Sequence, residues 1–398
     1  MARPGTAGRL TAFASALALG ITLSLAPAAT AVRASSAAVV VEVQVYNMDG
    51  DGDLSPLFDP SADLIATTSA IWAETVRGNI PERAVGVARE IAVHQPDLVG
   101  LNEVAVWKTA PATATSPTTV VPTGPFTTEF DSLASLLSAL SAMGTPYEAY
   151  VEDKTFDNEA FPLPAITAQG LRLVTFADYN VILVREKSLR MGMTLSNDQT
   201  HTYLARLPVT VAGMQLDVTR GWAQVDVEKQ NRHFLFIDTH LEAYGIPPLK
   251  DQVRNPQAME LATHISSSPD PVVLVGDINA RPTMCTDIPR TDPFEHVLDQ
   301  NVVAYGILTG AGMAEVWPTL YPGRACAPAS WTSGQLTLQT PVSTLTHRID
   351  DVFVTAGITP LVARVLGGAI ADRTPSGLWP SDHASTWAQI RLDNAHSG

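Results

Sequence analysis

Several apolar runs of this chain stop at a side chain that can hold a cation or move a proton. Val41 to Val45 leads to Tyr46-Asn47, and Leu98 to Leu101 leads to Asn102-Glu103. Phe234 to Ile237 leads to Asp238-Thr239-His240, and Val272 to Val275 leads to Gly276-Asp277-Ile278-Asn279. Ser381-Asp382-His383 follows a Pro-rich loop and precedes a further strand-like run, while Arg348-Ile349-Asp350 opens another. Oxygen donors of these types suit a hard divalent cation, and histidines beside them exchange protons near neutrality. Such a kit breaks phosphate esters, where catalysis is mostly positioning and charge neutralisation.

Each segment taken alone has a plainer reading. Asp277 and Asn279 face the same side of an extended backbone and could approach one ion or one phosphate oxygen, yet Gly, Asp and Asn are also the commonest turn formers. His240 alone is equally a satisfied structural imidazole, Asp382-His383 a structural pair, Glu103 a cap or the partner of a surface base, and Asn47 a turn residue. Their recurrence at strand ends is what favours a site, because a rigid sheet presents polar groups into a cleft there.

The elements that must position these residues read as follows. A first strand runs to Tyr46. Ala84, Ala88, Ile91 and Ala92 share one face at helical spacing, so residues 82–95 are expected to be a helix, with Pro81 in its first turn and Pro96 ending it. Leu133, Leu136, Leu137 and Leu140 mark a second amphipathic helix stopping near Gly144, and Pro256 to Ile265 a third. Short strands are expected at Val181 to Val184, Leu204 to Val211, Met214 to Val218, Gln224 to Val227, Val352 to Val354, Leu361 to Val365 and Ala388 to Leu392. Residues 110–127, rich in Thr, Ala and Pro, read as an irregular surface insertion, and 283–345 as loop-rich. No repeat or linker divides the chain, and strands outnumber helices. Pattern alone therefore gives an α+β layered domain with a central sheet or pair of sheets.

The 398 residues, 45% of them hydrophobic, leave room for a sizeable core. Arg3 and Arg9, the nearly apolar Leu10 to Leu25, and Ala29-Thr30-Ala31 fit a cleavable signal peptide over residues 1–31; the alternative is an uncleaved anchor, against which Pro27 and the cleavage-like site weigh. Residues 32–38 then form a disordered leader, and the protein is expected outside the cell. No later segment is apolar enough to span a bilayer. The formal net charge of −15 argues against a broad polyanion-binding surface, without excluding a local basic groove. The two cysteines, Cys285 and Cys326, are expected to form a disulfide in an exported chain, two separate thiols being the alternative. Zinc has little support, since neither sits in a C-x-x-C pair.

The ordered segments together resemble the endonuclease/exonuclease/phosphatase family of metal-dependent phosphoesterases. Tyr46-Asn47, Pro96-Asp97 to Glu103, Tyr179-Asn180-Val181-Ile182-Leu183, Thr239-His240-Leu241, Gly276-Asp277-Ile278-Asn279, Arg348-Ile349-Asp350 and Ser381-Asp382-His383 stand in the family's order, from about Val41 to Leu392. The resemblance implies a deoxyribonuclease-I-like, four-layer α/β sandwich over residues 39–398, two packed and mainly antiparallel sheets flanked by helices, with the site at one edge. It implies Mg²⁺ (Mn²⁺ as a substitute) held by Glu103 with Asn47 and Asp382. Asp277 and Asn279 would hold a second metal or orient water and phosphate. His383 would be the base, its ring held by Asp350, and His240 would protonate the leaving oxygen or stabilise the charged transition state. Asn180 is a weaker match to a substrate-contacting position.

The implied activity is hydrolysis of a phosphate ester by metal-activated water, a phosphodiester being favoured. The substrate is a lipid headgroup, a small molecule or a nucleic acid. The alternatives are an extracellular nuclease or a sphingomyelinase-like phospholipase C, with a phosphomonoesterase behind them. A catalytically silent binding module on the same fold is the rival of another class; the retention of Glu103, His240, Asp277, Asp350 and His383 argues against it. No obligate protein partner is indicated, and a monomer is expected. Two positions depart from the family's pattern. Asp351 replaces a common aromatic residue and is expected to point outward from its strand, metal binding being the alternative; Asn102 stands where Gln is common. Asp49-Gly50-Asp51-Gly52-Asp53 lacks an EF-hand's Gly and Glu, at Leu54 and Pro60, and is expected to be a solvated acidic loop at the cleft mouth, with a cation role as the alternative. Trp107, Trp331 and Trp379 could wall the cleft, but core packing is expected for each.

Overall fold

The runs Leu98–Leu101, Phe234–Ile237 and Val272–Val275 are apolar on both faces, the signature of strands covered on both sides, while Val41–Val45 alternates with Glu42 and Gln44. A computed structural model describes residues 38–50, 52–116, 119–244, 249–285, 302–335 and 338–393. The expected signal peptide, the leader apart from Ala38, and Asp51 lie outside the described residues. Among the described residues no helix is long and apolar enough to cross a membrane.

One sheet is built on β1 (Val39–Asn47), β2 (Leu98–Ser116), β5 (Tyr147–Asp157), β7 (Gly170–Arg185), β16 (Ile358–Leu366) and β17 (Ser385–Leu392), with β3 (Thr119–Pro122), β4 (Thr127–Asp131) and β6 (Leu163–Thr167) attached to its long strands. Its order is β16-β17-β1-β2-β7-β5. The second sheet joins β8 (Thr194–Thr202), β11 (Gly221–Lys229), β12 (Arg232–His240), β13 (Val272–Asp277), β14 (Ala314–Glu315) and β15 (Asp350–Val354), in the order β14-β15-β13-β12-β11-β8. A separate hairpin pairs β9 (Leu207–Val211) with β10 (Met214–Val218). The pairings β1–β2 and β12–β13 are parallel and the others antiparallel.

The sheets pack face to face through Val41, Val43 and Val45 of one and Phe234, Phe236, Val273 and Val275 of the other. The alternate residues of the same strands meet helices. Tyr46, Val99 and Leu101 pack under α2 (Ile80–His94) and α3 (Ser132–Ala142), and Leu235, Ile237, Val272 and Leu274 under α5 (Leu249–Ser266) and α6 (Val303–Gly310). The expected four-layer α+β sandwich results. The remaining helices are α1 (Leu64–Gly78), α4 (Glu186–Arg190) and α7 (Val316–Leu320).

Helices α2 and α3 cover the residues expected to be helical, and Asp131 caps α3 by accepting from Ala134 N. Two expectations need correction. Residues 110–127 are not irregular: β2 continues to Ser116 and turns back as β3 and β4. Threonine favours strands once a partner lies alongside, here β7 as far as Pro111 and β3 beyond it. The stretch from 283 to 345 contains α6 and α7 in addition to loops. The expected disulfide is present, Cys285 to Cys326.

Candidate active site

The edge where β1, β12 and β13 end, β15 begins and β2 bulges brings the distant motifs together. Asn47, at the end of β1, is fully buried and donates from Nδ2 to Glu103 Oε1 (3.0 Å) and Asp277 Oδ2 (3.1 Å). Glu103 reaches this position because β2 slips register against β7 between Leu101 and Val104. Glu103 itself has φ 52°, a left-handed backbone that costs a non-glycine residue on the order of 1–3 kcal/mol. The bulge turns its carboxylate, 33% exposed, out of the sheet and into the cleft.

Asp277 ends β13. The residue before it must be glycine, because a Cβ on Gly276 would lie 2.1 Å from the Thr239 carbonyl oxygen. Asp277 N donates to Asn102 Oδ1 (2.8 Å), and Asn102 Nδ2 donates to Asn180 and Asp238. Asn102 therefore ties the two sheets beneath the site. Asn180 shares that role: its Oδ1 accepts from Asn102 and its Nδ2 donates to the Gly221 carbonyl, so its amide is committed below the cleft and does not reach substrate. Asn279 turns the chain after β13, with N donating to Asp277 Oδ1 and Nδ2 to the Leu241 carbonyl.

His383 Nδ1 donates to Asp350 Oδ2 at 2.9 Å. Asp350 is held in turn, its own N–H donating to Thr332 Oγ1, and Ser381 Oγ accepts from His383 N while donating to the Asn47 carbonyl. Burial opposes charge on His383, but Asp350, Asp382 and Asp277 outweigh it and hold the imidazole well above the ordinary histidine value. Burial, then Asp350, raise Asp277 to about 7, with His383 acting against them. The ligand-type atoms of Asp277, Asp350 and His383 all lie within 4.8 Å of one another. That spacing would admit an ion, but one ring nitrogen and one carboxylate oxygen are already spent on each other, so the trio reads as a proton-sharing cluster.

His240 differs from His383. Arg220 Nη1 donates to His240 Nδ1 (3.0 Å), which places the ring proton on Nε2. Burial, then the charges of Arg220 and His383, push this imidazole well below its ordinary value, so it is neutral. Its buried Nε2 has no hydrogen-bond partner and points between Asp277 Oδ2 (3.7 Å) and Glu103 Oε1 (3.9 Å). A neutral N–H in this position can donate to a developing oxyanion but carries no spare proton for a leaving group. Of the two roles the resemblance implied for His240, this geometry supports stabilisation. Arg220 was not foreseen. It stands alone between β10 and β11 and belongs to no motif, and its partners Asp178 and Glu242 appear only in three dimensions.

The residues expected to hold Mg²⁺ fit a cation of that kind. Asp382, 41% exposed, faces a concavity shared with Glu103 and Asp49. Carboxylates of like charge around one opening are what a hard divalent ion compensates. Asn47 presents its Nδ2 inward and its Oδ1 to Asp49 N, so it bridges the acids here instead of offering its oxygen. In the acidic loop Asp49 lies 3.5 Å from Arg83, and Asp53 accepts from Ser55 N and Oγ.

Asp351 requires a correction. It is fully buried, not outward-facing, because the far face of β15 is covered; its Oδ1 lies 2.8 Å from Arg348 Nε. Trp107 and Trp379 are buried as expected, Trp107 on the wall of the cleft. Trp331 is only half-buried.

No protein-family model and no curated protein matches the chain. Solved structures do. An endonuclease/exonuclease/phosphatase from Beutenbergia cavernae is 18% identical, with TM-score 0.48 over 90% of this chain and 73% of that one. One from Bacteroides vulgatus is 16% identical, with TM-score 0.49 over 89% and 100%. D. rerio TDP2, solved with single-strand DNA product, is 15% identical, with TM-score 0.48 over 88% and 98%. This chain's own architecture is the two-sheet sandwich described above. Its sandwich, and the meeting of the ordered motifs at one sheet edge, are seen directly in the described residues.

Proposed function

We propose that this chain is an exported, divalent-cation-dependent phosphoester hydrolase, with a phosphodiester as substrate and no covalent intermediate. One observation carries the reading: the His383–Asp350 pair, at 2.9 Å, opens into the same cleft as the neutral His240 and the Glu103–Asn47–Asp277 bridge. Glu103 and Asp382, with Asn47 beside them, would hold the cation, which when bound supplies the charge that offsets the phosphate's own. His383, oriented by Asp350, acts in its deprotonated form, which the surrounding acids disfavour and rising pH favours; it takes the proton from the attacking water as the new oxygen–phosphorus bond forms and the ester bond breaks. His240 Nε2–H donates to a phosphoryl oxygen as charge builds there. Asp277 stays behind the reacting atoms and anchors Asn47.

Hydrolysis of bis(p-nitrophenyl) phosphate is expected to stop in EDTA and to return with Mg²⁺ or Mn²⁺; full turnover in chelator would remove the cation from the mechanism. For export, N-terminal sequencing of protein recovered from culture medium should begin at Val32, the residue after Ala29-Thr30-Ala31. Retention of residues 1–31 would favour a membrane anchor.

A further inference from the structure

The catalytic edge borders a cavity of about 400 Å³ whose inner wall carries Glu103, Asp178, Arg220 and Asp382. The other walls come from the turn after β1, one face of α1, the parts of β2 and β7 that run past the Glu103 bulge, and the β9–β10 hairpin. They present apolar side chains such as Leu57, Ile71, Val174, Phe176, Val211 and Leu216. At the outer lip Phe161 and Met214 stand 43% and 36% exposed. A cavity of about 150 Å³ lined by Leu, Ile and Phe holds a benzene ring, and this chamber has more than twice that volume.

The polar groups of the wall are largely spent on the protein. Thr68 Oγ1 donates to the Leu64 carbonyl and Trp107 Nε1 to the Gly50 carbonyl. The Asn158 amide accepts from Phe176 N and donates to the Phe161 and Val174 carbonyls, while Gln335 bonds Thr340 and Thr344. These groups are therefore not free to pair with the edges of a nucleobase. Among the described residues lining the chamber Arg220 is the only cation, and it faces Asp178 and Glu242, so successive phosphates of a polyanion find no basic track.

We infer that the chamber holds the hydrocarbon part of an amphiphilic phosphoester whose phosphate lies at the His240–His383 cluster. This rests on the phosphoesterase reading above and specifies its substrate class.

The test uses the mature protein with Mg²⁺ and a series of alkyl p-nitrophenyl phosphates, methyl, butyl and octyl. The value of kcat/KM should rise roughly two- to fourfold per methylene while the chain still fits. Independently of turnover, calorimetry should find octyl phosphate bound at least tenfold more tightly than methyl phosphate. Leu216→Asp, on the half-buried side of the hairpin, should cut the octyl-to-methyl ratio at least tenfold. Should that variant not fold, Leu216→Trp keeps the surface apolar, fills space, and should move the preference to butyl. Turnover of lipid in phosphatidylcholine vesicles would assign a membrane source, and turnover confined to the monomeric octyl ester a soluble one; either supports the inference. A flat alkyl series with the methyl ester hydrolysed, or a preference for thymidine 5′-p-nitrophenyl phosphate over the octyl ester, would overturn the chamber's role alone. Tight octyl phosphate binding with no ester hydrolysed would overturn the hydrolase reading and leave the chamber standing. Equal binding of both phosphates with no hydrolysis would sink both.

Discussion

Asp350 and Asp351 are neighbours on β15 and both are fully buried, yet they belong to different parts of the molecule. Asp350 faces the cleft and accepts from His383. Asp351 faces the other way, onto Arg348, which also pairs with Glu315 and lies 5.4 Å from the Trp317 ring. Tyr305 OH donates to Glu315, and Arg348 Nη1 donates to the Ser330 carbonyl and to Thr386 Oγ1, so that cluster is buried away from the cleft. Burial, then Glu315, hold Asp351 well above the ordinary carboxylate range, with Arg348 acting against them. The lesson is one of partners. A buried acid beside a permanent guanidinium in a sealed space is structure, whereas one beside an imidazole at an open edge can take part in proton transfer.

The largest effect that separates the two is on turnover. His383→Ala should lose roughly 10²–10⁴-fold in kcat while circular dichroism remains that of the folded protein. Asp350→Asn should follow it and Asp351→Asn should not; equal losses from the two aspartates would erase the distinction. On the structural side, Arg348→Met strands two buried carboxylates and should cost about 3–5 kcal/mol in urea unfolding. Activity per folded molecule should survive, and its loss would place the sealed cluster inside the mechanism.

A smaller effect concerns a third buried acid, Asp153 on β5, which burial raises to about 7. The folded state keeps a proton there that the unfolded chain releases above its ordinary value. This contribution to stability is complete below about pH 4 and is lost as pH rises through about 7. Asp153→Asn cannot ionise, so relative to wild type it should gain about 2–3 kcal/mol between pH 5 and pH 8, measured by urea melts. No change in that difference would mean that Asp153 is ionised in the folded protein throughout.

Much of the catalytic edge was legible because strands buried on both faces leave continuous apolar runs, and the residue ending each run has only the edge to occupy. That logic located Glu103, His240 and Asp277; Asn47 ends a run that alternates with Glu42 and Gln44, and His383 follows a Pro-rich loop and precedes its strand. It failed for Asp351, since alternation along a strand says that its face is opposite that of Asp350 but not what covers that face. Helix α1 was missed because Thr67, Thr68, Ser69 and Thr75 interrupt its apolar spacing; its start is fixed by Asp63 accepting from Ala66 N. Arg220 and the chamber left no trace in the sequence. Both arise from elements remote in the chain, and a lone arginine carries no spacing.

The pairing of β17 with β1 has a consequence for how the protein is made. Asn47 leaves one of these strands, and His383 lies just before the other. Until β17 has been made and has docked, β1 lacks that neighbour and Asn47 and His383 are not yet brought together. Under the hydrolase reading, a chain that stops short of β17 is therefore expected to be inert.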